Sequence, residues 1–147
     1  MDAPQAVCEY ACALIVEGDA LLLELRPAQA RIAAGQCTCF GGACEPGEQP
    51  ETALRRELRE ELGWQLPADP SLLQPALDLL KGPRWVARFF TVRNPVPRPT
   101  RHLIPGFRAL WVPWASLPGI PLSPWHATVL KAWQRGEQRV QLLPPSV

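Results

Sequence analysis

The chain has 147 residues, which suits one domain (residues 1–147) large enough to bury a core. Hydrophobic residues make up 47%, which excludes a disordered chain, and no apolar run reaches the roughly 18–20 residues of a membrane-spanning helix. A formal net charge of +1 names no partner and Met1-Asp2-Ala3-Pro4 carries no basic leader, so the expectation is a cytoplasmic protein, monomer or homodimer, with neither a membrane nor a nucleic-acid polymer as partner.

Tyr10 to Glu17 is a β-type run, Gly18-Asp19 is a turn signal, and Ala20 to Leu25 resumes the apolar run. Together they read as a hairpin. Arg26 to Gln36 is a loop punctuated by Pro27 and Gly35, and Cys37 to Phe40 reads as a short strand entering Gly41-Gly42. Pro50 stands where a first helical residue belongs, because its missing N–H costs nothing there. Leu54, Leu58 and Leu62 then recur every four residues until Gly63 stops the helix. Leu72 to Leu80 fits a strand or a helix. Arg84 to Arg93 reads as a strand, and Asn94 to Thr100, with three prolines, as a loop. Phe107 to Val112 is a further strand. Ser123-Pro124 opens a second helix that sets Val129, Leu130 and Trp133 on one face and ends at Gly136. Strands interleaved with two helices predict an α/β fold, a mixed sheet flanked by helices.

Charge is unevenly spread. Carboxylates dominate Glu45 to Glu61, whereas Leu79 to Gly136 holds no acidic residue and is dotted with Lys81, Arg84, Arg88, Arg93, Arg98, Arg101, Arg108, Lys131 and Arg135. An acidic element beside a basic one suits a metal bound to polyphosphate, and it equally suits a solvated surface that balances its own charge. The five cysteines are an odd count without an export signal, so reduced thiols are expected. Cys8 with Cys12 and Cys37 with Cys39 would each share a strand face, which leaves a four-thiolate zinc site conceivable. Neither pair has the C-x-x-C spacing, however, and small apolar thiols pack well in cores, so no zinc is expected.

The helix from Pro50 to Leu62 carries the chemistry. At 100° per residue Glu61 lies about 40° from Glu57 and Glu60 about 60° to its other side, so all three carboxylates share one arc beside the leucine stripe. Like charges at that spacing destabilise a helix by a few tenths of a kcal/mol, which Arg56 offsets in part. Arg55 and Arg59 point elsewhere and read as surface residues. A hard divalent cation would remove the repulsion, since Mg²⁺ takes oxygen ligands and bridges carboxylates to substrate phosphates. On its own the helix is as well explained as an ordinary charged, solvated face.

The flanks decide between these readings. Gly42, Glu48, Arg56, Glu57, Leu58, Glu60, Glu61, Gly63 and Trp64 stand in the register G-x5-E-x7-R-E-U-x-E-E-x-G-U, where U is a bulky apolar residue. In this stretch the chain resembles the Nudix family, with Trp64 where an aliphatic residue is usual. The resemblance implies a Nudix-type α/β/α sandwich with a mixed sheet and a Mg²⁺-dependent (or Mn²⁺-dependent) hydrolase that cleaves a pyrophosphate bond. It implies that Glu57, Glu60 and Glu61 bind the metal, with the Gly41 carbonyl as backbone ligand. It implies that Arg56 orients a carboxylate together with Glu48, and that Gly42 and Gly63 shape the loop–helix–loop. Arg56, Glu57 and Glu60 are the catalytic set on this reading. Many relatives add a Glu from a loop beyond the signature. Here only Asp69 and Asp78 are acidic between Glu61 and Glu137, so the general base is expected on the helix, with Glu57 as first choice.

The expected partner is a small nucleotide. The proline spacing of ADP-ribose hydrolases and the tyrosine of dinucleoside polyphosphate hydrolases are both missing, which leaves nucleoside triphosphates, oxidised ones included. Arg84, Arg88 and Arg101 are candidate phosphate contacts. Trp85, Phe89, Phe107 and Trp111 are candidates for stacking on a base, or else core residues. His102 and His126 have no evident partner. Two rival readings are a non-hydrolytic nucleotide-binding relative and an isoprenoid diphosphate isomerase, against both of which the complete signature argues.

Overall fold

The computed structural model describes residues 5–93 and 100–142. Most of the proline-rich Asn94 to Thr100 segment therefore lies outside the described residues. Strands β1 (Gln5–Leu14), β2 (Val16–Glu17), β3 (Ala20–Leu25), β4 (Cys37–Thr38) and β5 (Phe40–Ala43) precede helix α1 (Pro50–Leu62). Strands β6 (Leu73–Lys81), β7 (Arg84–Val92) and β8 (Arg108–Pro113), helix α2 (Pro124–Gln134) and strand β9 (Arg139–Gln141) follow.

The strands form two sheets. One has the order β5-β1-β7-β6-β9 and is mixed: β1 runs parallel to β7 and β6 to β9, while the other pairs are antiparallel. The other sheet is built on β3, which pairs with β8 along its whole length and with β2 and β4 near its two ends, all antiparallel. Helix α1 packs on β5 and β1, and α2 packs on β6 and β9. Ala11, Ala13, Phe40 and Phe90 join the leucines of α1 in one core, while Cys12, Leu14, Leu79 and Phe89 join Val129 and Leu130 of α2 in the other. The five-stranded sheet is thus sandwiched between two helices.

The expected hairpin divides at Ile15. Only Val16–Glu17 pairs back on Ala20 and Leu21, whereas β1 enters the other sheet. The reason lies in burial: Ala11 through Ile15 are all buried, so both faces of the strand are covered. Such a strand reads as a continuous apolar run and belongs in a sheet interior with a parallel neighbour. The Cys37 to Phe40 run divides likewise, with Cys37 and Thr38 on β3 and Phe40 onward on β1. This crossing puts Gly41-Gly42 at the seam between the sheets. Leu72 to Leu80 resolves as strand β6, preceded by a 3-10 turn over Pro70–Leu72 that the Asp69 side chain caps by accepting the Ser71 N–H.

Helix α1 ends at Gly63, whose left-handed φ of 71° lets its N–H close on the Arg59 carbonyl at 2.9 Å. Trp64 then folds into the α1 core. Cys12, Cys37 and Cys39 are buried in the core beneath α2. Burial pushes the Cys39 thiol up to about 12, and the Glu24 charge adds to that. Ser123 begins α2, but its Oγ lies 2.8 Å from His126 Nδ1 and caps no backbone N–H.

Candidate active site

Ala53, Leu54, Leu58 and Leu62 fix the rotation of α1 by burying against the sheet. The same rotation grades the three carboxylates. Glu61 is 6% exposed, Glu57 is partly buried, and Glu60 stands out with 52% of its side chain in solvent. Gly41 φ is 139°, a value few side-chain-bearing residues adopt, and a Cβ there would overlap the Ala11 carbonyl oxygen. At Gly42 a Cβ would meet Glu57, 2.5 Å from its Cδ and Oε1. The two glycines therefore let β5 lie against β1 on one side and the Glu57 carboxylate on the other.

Arg56 is the hub of the outer part. Its Nε and Nη2 donate to the two oxygens of Glu48 at 3.0 and 2.9 Å, and its Nη1 donates to Glu57 Oε1 at 2.9 Å. Nη2 also reaches the Ala43 carbonyl at 3.0 Å, and Nη1 lies 3.5 Å from Glu60 Oε2. The Arg56 hydrogen bonds, then the Glu45 N–H, hold the Glu48 carboxyl down at about 2. Burial pushes Glu57 up, against the pull of Arg56. Arg55 is more than a surface residue: it donates to the carbonyls of Leu66, Pro67 and Asp69 and ties down the turn that follows the helix.

The inner part contains two groups that periodicity and signature do not mark. Glu24 of β3 is 1% exposed and faces Glu61, and His102 from the loop before β8 is 8% exposed and bonds Glu24. One ligand atom from each of Glu24, Glu61 and His102 lies within 4.8 Å of the others. Glu61 Oε1 accepts the Gly41 N–H at 3.1 Å. Burial above all, then the charges of Glu24 and Glu57, push Glu61 up to about 10. Burial also raises Glu24, but the His102 hydrogen bond and the Arg26 charge outweigh it and hold Glu24 below the usual carboxylate range.

The donor set fits a hard cation. Glu57, Glu60, Glu61 and the Gly41 carbonyl offer only oxygen, which suits Mg²⁺ or Mn²⁺.

The sequence that builds this Arg-locked carboxylate helix behind a double glycine matches the NUDIX domain family over residues 9–133. The chain belongs to the Nudix family. It is 49% identical over 55 residues to the nucleoside triphosphatase NudI of Escherichia coli O1:K1 / APEC, a match that covers 37% of this chain and 39% of that protein. The NudI of Escherichia coli strain K12 / DH10B gives the same figures. The chain thus spans about two-fifths of the length of these curated relatives. Its fold is similar to MutT from the fish pathogen Aliivibrio salmonicida and the mesophile Vibrio cholerae, with a TM-score of 0.67 at 22% identity over 85% of this chain and 94% of that one. The MutT Nudix hydrolase of Burkholderia pseudomallei gives a TM-score of 0.65 at 23% identity over 85% and 97%.

Within this Nudix chain the basic candidates part company. Arg84 is 3.2 Å from Glu9, and Arg88 is 3.0 Å from Asp78 while its guanidinium lies 4.1 Å from the centre of the Trp85 ring. Both are thus already paired, and Trp85 is covered by Arg88. Arg101 is exposed and adjoins His102, whose Nε2 bonds the Glu24 that stands beside Glu61. Phe89 is core and Trp111 is exposed on β8. Phe107 stacks at 5.2 Å on His102. His126 packs edge-on against Phe89.

Proposed function

We propose that this chain is a Mg²⁺-dependent pyrophosphohydrolase, with Mn²⁺ as a substitute, acting on a nucleoside diphosphate-linked substrate, with nucleoside triphosphates, oxidised ones included, as the substrate class. The observation that carries the reading is the chain of contacts from Glu48 through Arg56 to Glu57, which seats a carboxylate on Gly42 beside the buried Glu61. Glu57, Glu60, Glu61 and the Gly41 carbonyl would hold the cation. When bound, it would neutralise the phosphates and lower the pKa of attacking water. Glu57 is assigned as the base, Arg56 as the group that keeps it in place, and Arg101 as the phosphate contact. The part-length likeness to a nucleoside triphosphatase supports the substrate class. A cytoplasmic location belongs to the same reading.

The experiment is a panel of nucleotides incubated with Mg²⁺ and analysed for the fragments released. Hydrolysis yields two phosphorylated fragments, whereas a nucleotide-binding relative and a diphosphate isomerase release none. Glu57→Gln and Glu61→Gln should each reduce turnover at least a hundredfold with the circular dichroism unchanged. Near wild-type turnover in either variant at saturating Mg²⁺ would overturn the site assignment.

A further inference from the structure

We propose that Glu24 and His102 are positioning residues: as a carboxylate–imidazole pair they set where the Glu61 carboxylate stands and so tune the affinity of the cation site. The inference rests on the proposed function for what Glu61 does, and on the hydrogen bonds for the rest.

The pair is held from every side. Glu24 Oε1 accepts Arg26 Nη1 at 2.6 Å and Thr38 Oγ1 at 3.3 Å, and Glu24 Oε2 lies 2.6 Å from His102 Nε2. The His102 ring packs against Phe40 at 5.4 Å and Phe107 at 5.2 Å, and the Arg26 guanidinium lies over the Phe107 ring at 5.0 Å. The loop reaches the helix as well, because the Leu103 N–H donates to the Glu61 carbonyl at 2.7 Å. Residues 102 and 103 therefore hold Glu61 twice, by its backbone directly and by its side chain through Glu24.

The hydrogen bonds also assign what His102 does. Its Nδ1 accepts the Ile104 N–H at 3.1 Å, so that nitrogen carries a lone pair and the ring proton sits on Nε2, donated to Glu24. Both nitrogens are thereby committed. Nε2 has no lone pair for a metal, and the lone pair of Nδ1 is taken by backbone, so His102 is neither a ligand nor a base. What it does is fix the Glu24 carboxylate, and Glu24 in turn abuts Glu61. Partners of this kind behind a metal ligand are worth about 10- to 100-fold in affinity.

The test measures Mn²⁺ binding by electron paramagnetic resonance, with no substrate present, on the full chain. His102→Phe keeps a ring against Phe40 and Phe107 but can neither donate to Glu24 nor accept from Ile104. It should weaken Mn²⁺ binding about tenfold or more, with a lowered melting temperature because Glu24 loses a buried hydrogen bond. His102→Gln, whose amide can still donate to Glu24, should recover most of the loss. Glu24→Gln, equal in shape, should weaken binding as His102→Phe does, and it covers the case in which the Phe variant does not fold. In nitrogen-15 spectra the His102 Nε2–H signal should persist when Mg²⁺ is added. Wild-type affinity in both His102→Phe and Glu24→Gln, with binding lost in Glu57→Gln, would overturn this proposal and leave the proposed function standing. Loss of the Nε2–H signal on adding Mg²⁺ would make His102 a ligand and overturn it too. A wild-type chain that binds no Mn²⁺ would overturn both.

Discussion

Gly42→Ala is the smallest change that tests whether the position of Glu57 matters. The backbone of Gly42 is not in the left-handed region, so alanine fits the main chain, but its Cβ would stand 2.5 Å from Glu57 Cδ and Oε1 and 2.8 Å from Oε2. Ordinary contact begins near 3.4 Å, so the carboxylate has to retreat by about 0.9 Å. Arg56 resists the retreat, since it is fixed by both Glu48 oxygens and the Ala43 carbonyl while holding Glu57 at 2.9 Å. A displacement of about 1 Å in a reacting group costs on the order of 10²-fold, or about 2.7 kcal/mol of barrier. We therefore expect kcat to fall about a hundredfold at saturating Mg²⁺, with only a small change in Tm because the collision is with a side-chain end. The double variant with Glu57→Gln should be no slower than Glu57→Gln alone, because the group being displaced is already disabled. Turnover of Gly42→Ala within threefold of wild type would refute the reasoning, as would a full hundredfold loss added in the Glu57→Gln background.

Two further expectations follow from groups outside the carboxylate cluster. Burial pushes His126 down to about 4 from its ordinary 6.5, so the unfolded chain takes up the proton first and stability is lost as pH falls from about 6.5 to 4. The upper size of that loss is about 3 kcal/mol. Urea unfolding at pH 7.5 and 4.5 should show a smaller loss in His126→Gln than in wild type, and equal losses would count against it. Asp69→Asn and Asp78→Asn should keep turnover within about tenfold of wild type, since Asp69 caps a turn and Asp78 pairs with Arg88, whereas a true base contributes about 10²–10⁴. A thousandfold loss in either, with Mn²⁺ binding intact, would move the base off the helix.

What the sequence made legible is local. Helix α1 is readable because its leucine period, its Pro50 start, its Gly63 stop and the signature spacing all lie within two dozen residues. The partition into two sheets is not, because an apolar run such as Ala11 to Ile15 says that it is buried without saying beside what. Glu24 was hidden for a related reason. In Leu-Leu-Leu-Glu-Leu a single carboxylate looks like a solvent-facing strand position, and only the fold brings it to His102, 78 residues away. A signal did exist: a lone charge inside a strand with leucines on both sides calls for a buried partner. In the basic stretch composition does not reveal that Arg84 lies against Glu9 and Arg88 against Asp78, because those pairings form only across the sheet.

Helical spacing puts three carboxylates on one arc, and the leucine stripe turns that arc into a gradient. Glu61 follows Leu54 by seven residues and Leu58 by three, so any rotation that buries those leucines carries Glu61 inward with them. An unpartnered carboxylate in that position costs several kcal/mol, which a small domain tolerates poorly. This chain offsets part of the cost with one hydrogen bond from Gly41, while a second buried carboxylate, Glu24, adds to it and is itself compensated by Arg26, Thr38 and His102. A fold selected for stability alone would place an apolar residue at position 61 and would need none of these. Five positions on four separate segments instead converge to keep one buried carboxylate in place, and the cation proposed above would turn such an arrangement from a liability into a site.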